Sequence, residues 1–112
     1  MKAFDAHFGA SVNVEWHFNN QGYEALFYIH DQEQLALFTP DGELLEKKSN
    51  LLPTEATQQI KDMAGRIGEL MNLIKIEQSN KVRYEVIARN QLLDRYYLLL
   101  EEDGKLLEER KL

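Results

Sequence analysis

The sequence predicts an α+β protein built of two tandem α-β4 repeats, with antiparallel strands forming a sheet and helices packed on one of its faces. Three observations carry that prediction. Phe38-Thr39-Pro40-Asp41-Gly42-Glu43-Leu44-Leu45-Glu46-Lys47-Lys48 returns as Leu100-Glu101-Glu102-Asp103-Gly104-Lys105-Leu106-Leu107-Glu108-Glu109-Arg110. At nearly the same offset, shorter by one or two residues, Tyr23-Glu24-Ala25 falls on Tyr84-Glu85-Val86, and Val14-Glu15-Trp16 falls near Ile74-Lys75-Ile76. Self-similarity at a spacing of about sixty residues is the mark of a duplicated unit. The second observation is a period of two in the residues from Val12 to Ile29, and the third is three- and four-residue apolar spacing from Leu52 to Ile67. The expected organisation is one domain, 1–112, made of repeats at about 1–50 and 51–112.

Taken in order, Ala3, Phe4, His7 and Phe8 fall on one face of a short helix that Gly9 can close. From Val12 the alternation of Val12, Val14, Trp16 and Phe18 against Asn13, Glu15 and His17 predicts a strand with its apolar side toward a core. Asn19-Asn20-Gln21-Gly22 is turn chemistry, and Tyr23, Ala25, Phe27 and Ile29 continue the same face in a second strand. Asp31-Gln32-Glu33-Gln34 is expected to reverse the chain into Leu35–Phe38, and Thr39-Pro40-Asp41-Gly42 to turn it into a fourth strand.

Ser49-Asn50-Leu51-Leu52-Pro53 interrupts the alternation, and Pro53 suits a first helical turn, where its missing N–H has no intrahelical partner to lose. Ala56, Ile60, Met63, Ala64 and Ile67 form the inner stripe of a helix predicted to run from there to about Glu69, with Gly65 and Gly68 weakening its end. Strands at Leu73–Glu77, Val82–Arg89, Leu93–Leu100 and Lys105–Glu109 then repeat the first four. The expected core comprises Trp16, Phe18, Tyr23, Phe27, Phe38, Ile60, Tyr84, Val86, Leu98 and Leu100.

A chain of 112 residues is large enough to bury about two thirds of its unfolded surface without staples. It has no cysteine, which excludes disulfides, thiolate metal sites and cysteine nucleophiles. Its net charge of -6, from 19 acidic and 13 basic residues, argues against nucleic acid or an anionic lipid surface as partner. No window approaches the ~20 apolar residues of a membrane span. Met1-Lys2-Ala3-Phe4 leads into folded-looking sequence without an apolar signal core, so the protein is expected to be cytosolic or to carry Met1 in place of a removed leader.

Several motifs in order resemble one family. Ala3-Phe4, Phe8-Gly9-Ala10-Ser11-Val12-Asn13-Val14-Glu15-Trp16, Gly22-Tyr23-Glu24-Ala25-Leu26-Phe27, Ala36-Leu37-Phe38 with Asp41-Gly42, and Leu52-Pro53 before a helix are similar to the PepSY-like family of small bacterial exported proteins. That family shares its fold with β-lactamase inhibitor protein. The resemblance implies tandem α-β4 units sharing one antiparallel sheet, a periplasmic or secreted location once a leader is removed, and no catalytic residue set.

Spacing disfavours chemistry on independent grounds. His17 and His30 both fall on the non-core face, but His17 faces Glu24 across the first turn and His30 lies six residues further on, about 20 Å away at ~3.3 Å per residue, too far for one metal ion. Ser11, Ser49 and Ser79 are expected in loops without a glycine-rich elbow or neighbouring base. No phosphate-binding loop or dinucleotide fingerprint is present, and no cofactor or metal is expected. A metal-dependent hydrolase is the least favoured reading.

The remaining feature is the second face of the sheet. Alternation places Leu26, Tyr28, His30, Leu37, Ile87, Tyr97 and Leu99 there, where a solvated face of an antiparallel sheet is ordinarily polar. A contiguous exposed apolar patch marks an interaction surface. The expected function is a non-enzymatic protein-binding or inhibitory module using this open face. The alternative is a structural homodimer that buries it, so the expected partner is an unidentified protein or a second copy.

Overall fold

A computed structural model describes residues 13–19 and 21–112. They form eight antiparallel strands whose order in the sheet is their order in the chain: β1 (Val14–Asn19), β2 (Gly22–Ile29), β3 (Gln32–Phe38), β4 (Leu44–Leu51), β5 (Glu69–Gln78), β6 (Lys81–Arg89), β7 (Arg95–Glu101) and β8 (Leu106–Lys111). Between β4 and β5 lie a 3-10 turn, Pro53–Glu55, and one α-helix, α1 (Gln58–Gly65). The chain divides into two compact units. One holds β1 to β3, β4 as far as Ser49, and Glu77–Asn80, and the other holds Asn50–Ile76 with Lys81–Leu112. The helix expected near Phe4 and Phe8 lies outside the described residues.

In the first unit the residues that are buried in each strand fall on one face. Phe18 pairs with Tyr23, Trp16 with Ala25, Ala25 with Ala36 and Tyr23 with Phe38. Phe27, Phe38, Ala25 and Ala36 are fully buried, with Val14, Trp16, Tyr23, Ile29 and Leu44 packed around them. Trp16 lies 6.2 Å from Phe38, centroid to centroid. Phe18 departs from the expected core: it is 67% exposed. It belongs to the last cross-strand pairs before the turn, where its ring stands edge-on to Tyr23 at 5.1 Å and beside Trp16 at 6.4 Å without being covered.

Two further expectations in this unit are corrected. The reversal after β2 is a two-residue loop of His30 and Asp31, with φ of 50° and 65°, closed by the Ile29–Gln32 pair. Two left-handed residues match the twist of a hairpin, so β3 starts at Gln32 rather than Leu35. Ser49, expected in a loop, lies in β4, which continues to Leu51. It is 5% exposed, opposite Gln34 at 4%, and its Oγ donates to Gln34 Oε1 at 2.6 Å. The β3–β4 register shifts between Leu37 and Phe38, so that Leu37 faces Glu46 and Phe38 faces Leu44. In the turn between them the Gly42 N–H donates to the Thr39 carbonyl at 2.9 Å, and Gly42 has φ 91°.

The second unit carries α1. The single helix expected from Pro53 to Glu69 is instead a 3-10 turn and a shorter α-helix. Glu55 Oε2 accepts from the Leu52 N–H at 2.7 Å, and Ala56 then returns to extended backbone (φ -64°, ψ 140°). Thr57 restarts the helix as its N-cap, Oγ1 accepting from the Ile60 N–H. At the other end the N–H groups of Ile67 and Gly68 both donate to the Ala64 carbonyl, and Gly68 packs so closely on the Arg89 carbonyl that a Cβ has no room. The chain is thereby committed to β5 at Glu69.

Ile60 and Ala64 of α1, with Ala56, bury against Leu73, Tyr84, Val86, Ala88, Leu98 and Leu100. The helix is also held at its rim, where Arg66 pairs with Glu109 at 3.1 Å. β7 begins at Arg95 rather than Leu93 because Asn90 Oδ1 accepts from the N–H groups of Leu92 and Asp94, both at 3.0 Å, and Leu93 sits at φ 66°. The β7–β8 pair shifts register between Leu99 and Leu100, and the Gly104 N–H donates to the Glu101 carbonyl at 2.9 Å with Gly104 at φ 92°.

Candidate binding face

Each unit has a second sheet face, opposite the packed one, and the register defines its composition. In the first unit Glu15, Leu26, Leu35 and Lys48 stand abreast, as do His17, Glu24, Leu37 and Glu46, with Tyr28 beside Glu33. Leu26, Leu35 and Leu37 are half-buried, while Tyr28 is 58% exposed and its hydroxyl lies 3.4 Å from Glu33 Oε2. His30 is not on this face, because its left-handed backbone places it in the β2–β3 loop. A leucine row thus lies among Glu15, Glu24, Glu33 and Glu46, a largely acidic frame. Beside it Gln21, Gly22, Tyr23, Glu24, Leu37, Phe38 and Leu45 line a cavity of about 70 Å³ where the bulge opens β3 from β4.

In the second unit Ile87, Tyr97 and Arg110 form one row, and Glu85, Leu99 and Glu108 the next. Ile87, Tyr97 and Leu99 are half-buried. The Arg110 guanidinium lies 4.5 Å over the Tyr97 ring, a cation–π contact that holds the ring against the sheet. Burial, then the charges of Glu85 and Glu108, push the Tyr97 hydroxyl above its ordinary range, while Arg110 pulls it down. Arg83 opposes Glu101, and Arg89 opposes Arg95 while reaching Glu69 at 3.1 Å. This face is an apolar centre inside a mixed rim of arginine and glutamate.

The described residues hold no group of three or more histidine and carboxylate side chains placed to share a metal ion. His17 faces Glu24 as the spacing predicts, and its Nε2 lies 3.3 Å from Glu15. The depression lined by Lys81, Val82, Arg83, Glu101, Glu102 and Asp103 measures about 330 Å³ and holds neither a histidine nor a serine. No helix among the described residues is long and apolar enough to cross a membrane.

Sequence reasoning missed the Arg110 cap on Tyr97 and the acidic frame around Leu26 and Leu37. Alternation could have found Glu24 and Glu33, which share the parity of Leu26 and of Leu35 and Leu37 in their own strands, whereas Glu46 and Arg110 needed the strand register. The register itself depends on the two bulges, which have no local signal beyond the Asp-Gly turns.

No known family profile matches this sequence, and no curated protein does. Solved structures match its fold closely. A DUF2874 family protein from Bacteroides uniformis superposes with a TM-score of 0.84 at 14% identity, over 98% of this chain and 85% of that one. A candidate periplasmic protein from Bacteroides eggerthii has a TM-score of 0.84 at 15% identity, over 98% and 84%. A BLIP-like protein from Bacteroides fragilis has a TM-score of 0.79 at 15% identity, over 99% and 82%. At these identities the likeness is one of fold: an eight-stranded antiparallel sheet of the BLIP-like type.

Proposed function

We propose that this chain is a non-enzymatic protein-binding or inhibitory module that engages its partner through the open sheet face. The carrying observation is the Ile87, Tyr97 and Leu99 cluster, a half-buried aromatic anchor under Arg110 with Glu85 and Glu108 at its border. Tyr and Arg are enriched at interface centres, and charged rims set specificity around them. Leu26, Tyr28 and Leu37 give the first unit a comparable face. The likeness to a BLIP-like fold supports a protein partner, and the PepSY-like motifs support the same reading. We further propose that the two units descend from one α-β4 repeat. The matched Gly42 and Gly104 turns, each following a shift in register, support it. An envelope location is the reading that a candidate periplasmic neighbour supports.

The test is capture from bacterial envelope extract by the wild-type chain and by a Tyr28→Ala, Tyr97→Ala double variant. Loss of an interface anchor weakens binding by about 2 kcal/mol, or roughly thirtyfold, for each residue. Equal capture by a folded double variant refutes the assignment.

A further inference from the structure

We infer that β8 is a self-pairing edge: two copies of this chain associate by antiparallel addition of β8 to β8, forming a symmetric dimer. This inference is independent of the open-face reading, and it leaves the Tyr97 side of the sheet uncovered. Among the described residues β8 is the last strand of the sheet and is paired on one side only, by β7. The Leu112 N–H donates to the Arg95 carbonyl at 2.8 Å, so by strand alternation the N–H and C=O groups of Arg110 and Glu108 also point toward β7. Those of Glu109 and Lys111 point outward. They are the ladder groups a new strand would meet.

An exposed edge usually repels other strands with charge, and β8 is charged from Glu108 to Lys111. Its charges are nevertheless ordered so that they fit their own reverse. On the open face Glu108 precedes Arg110; on the helix face Glu109 precedes Lys111. A two-fold axis normal to the sheet keeps faces matched and reverses strand direction, so on the open face acid meets base. With Glu109 of the two copies paired at the axis, Glu108 stands opposite Arg110 of the second copy, and Arg110 opposite its Glu108. These are non-hydrogen-bonded pairs with close side chains, while the outward groups of Glu109 close the ladder. The like charges at the axis are offset within each chain, because each Glu109 is already 3.1 Å from its own Arg66. Such an interface is isologous and uses up the β8 edge of both copies.

The experiment is sedimentation equilibrium of the full chain from micromolar to millimolar concentration, for wild type, Glu108→Arg, Arg110→Glu and an equimolar mixture of the two variants. Wild type is expected to pass from monomer to dimer. Each variant turns two attractive contacts per dimer into repulsive ones and weakens association by about tenfold or more. The mixture sets Arg at 108 against Glu at 110 of the other chain, together with the native Arg110 against Glu108, and regains dimer as a heterodimer. Glu109→Pro removes an outward N–H without touching the β7 ladder and is expected to abolish the dimer while native circular dichroism is kept. A wild type that stays monomeric throughout overturns the inference. So do single variants that dimerise as wild type does, or a mixture that remains monomeric. A dimer lost in Tyr97→Ala but kept in both charge variants places the second copy on the open face and overturns it as well.

Discussion

Replacing Ser49 by alanine should destabilise the protein more than the loss of one small hydroxyl suggests. Ser49 Oγ donates to Gln34 Oε1 at 2.6 Å, and the two residues are 5% and 4% exposed, so water has little access to the amide oxygen left behind. An unsatisfied buried acceptor costs about 1–3 kcal/mol. For a chain of this length, with ~2.1 cal/mol/K of unfolding entropy per residue, that corresponds to a fall in Tm of roughly 4–13 °C. Gln34→Met alone leaves the Ser49 hydroxyl without its acceptor and should cost a similar amount. The double variant removes both groups and should be less destabilised than the sum of the singles by about 1 kcal/mol or more. Thermal and urea unfolding of all four proteins, followed by circular dichroism, measures this cycle. A Ser49→Ala protein within about 0.5 kcal/mol of wild type, or strictly additive effects, would refute the reasoning.

Phe27→Ala, at a fully buried position, should cost about 3–5 kcal/mol, whereas Phe18→Ala, at 67% exposure, should cost far less; equal losses in urea unfolding would contradict the core described for the first unit. Tyr97 should ionise above the ordinary tyrosine range, first because of burial and then because of Glu85 and Glu108. Since its folded pKa is raised, the stability it contributes is complete below the unfolded tyrosine value near 10 and is lost as pH rises through the folded value. Ultraviolet difference titration against Tyr97→Phe checks this, and Glu108→Gln should move the Tyr97 step down in pH.

Much of the fold was legible because alternation is a strong signal where one sheet face is buried. Phe27, Phe38, Val86, Leu98 and Leu100 were placed in the core from parity alone, and all are at most 1% exposed. The failures fall where parity gives no guidance. Phe18 has core parity but stands at a strand end, where neighbours are few on one side. His30 and Asp31 make a tight turn without glycine, so the reversal was expected in the polar run that follows. Ser49 and Gln34 are polar by type and were expected in a loop and a turn. Each nevertheless supplies the group that the other satisfies. Pro53 signalled a helical turn correctly, but Thr57 is the better cap and restarted the helix. On the open face, Leu26, Leu37, Tyr97 and Leu99 followed from alternation, whereas the Arg110 contact needed the pairing of β7 with β8.

The most direct test of the open-face account is site-specific photocrosslinking in bacterial cells. A photoreactive phenylalanine analogue would replace Tyr28, Tyr97, or the exposed Gln58 and Asp62 of α1, one at a time. The account predicts adducts with a second protein from positions 28 and 97 and none from the two helix positions. Adducts from Gln58 or Asp62 with none from positions 28 and 97 would contradict it.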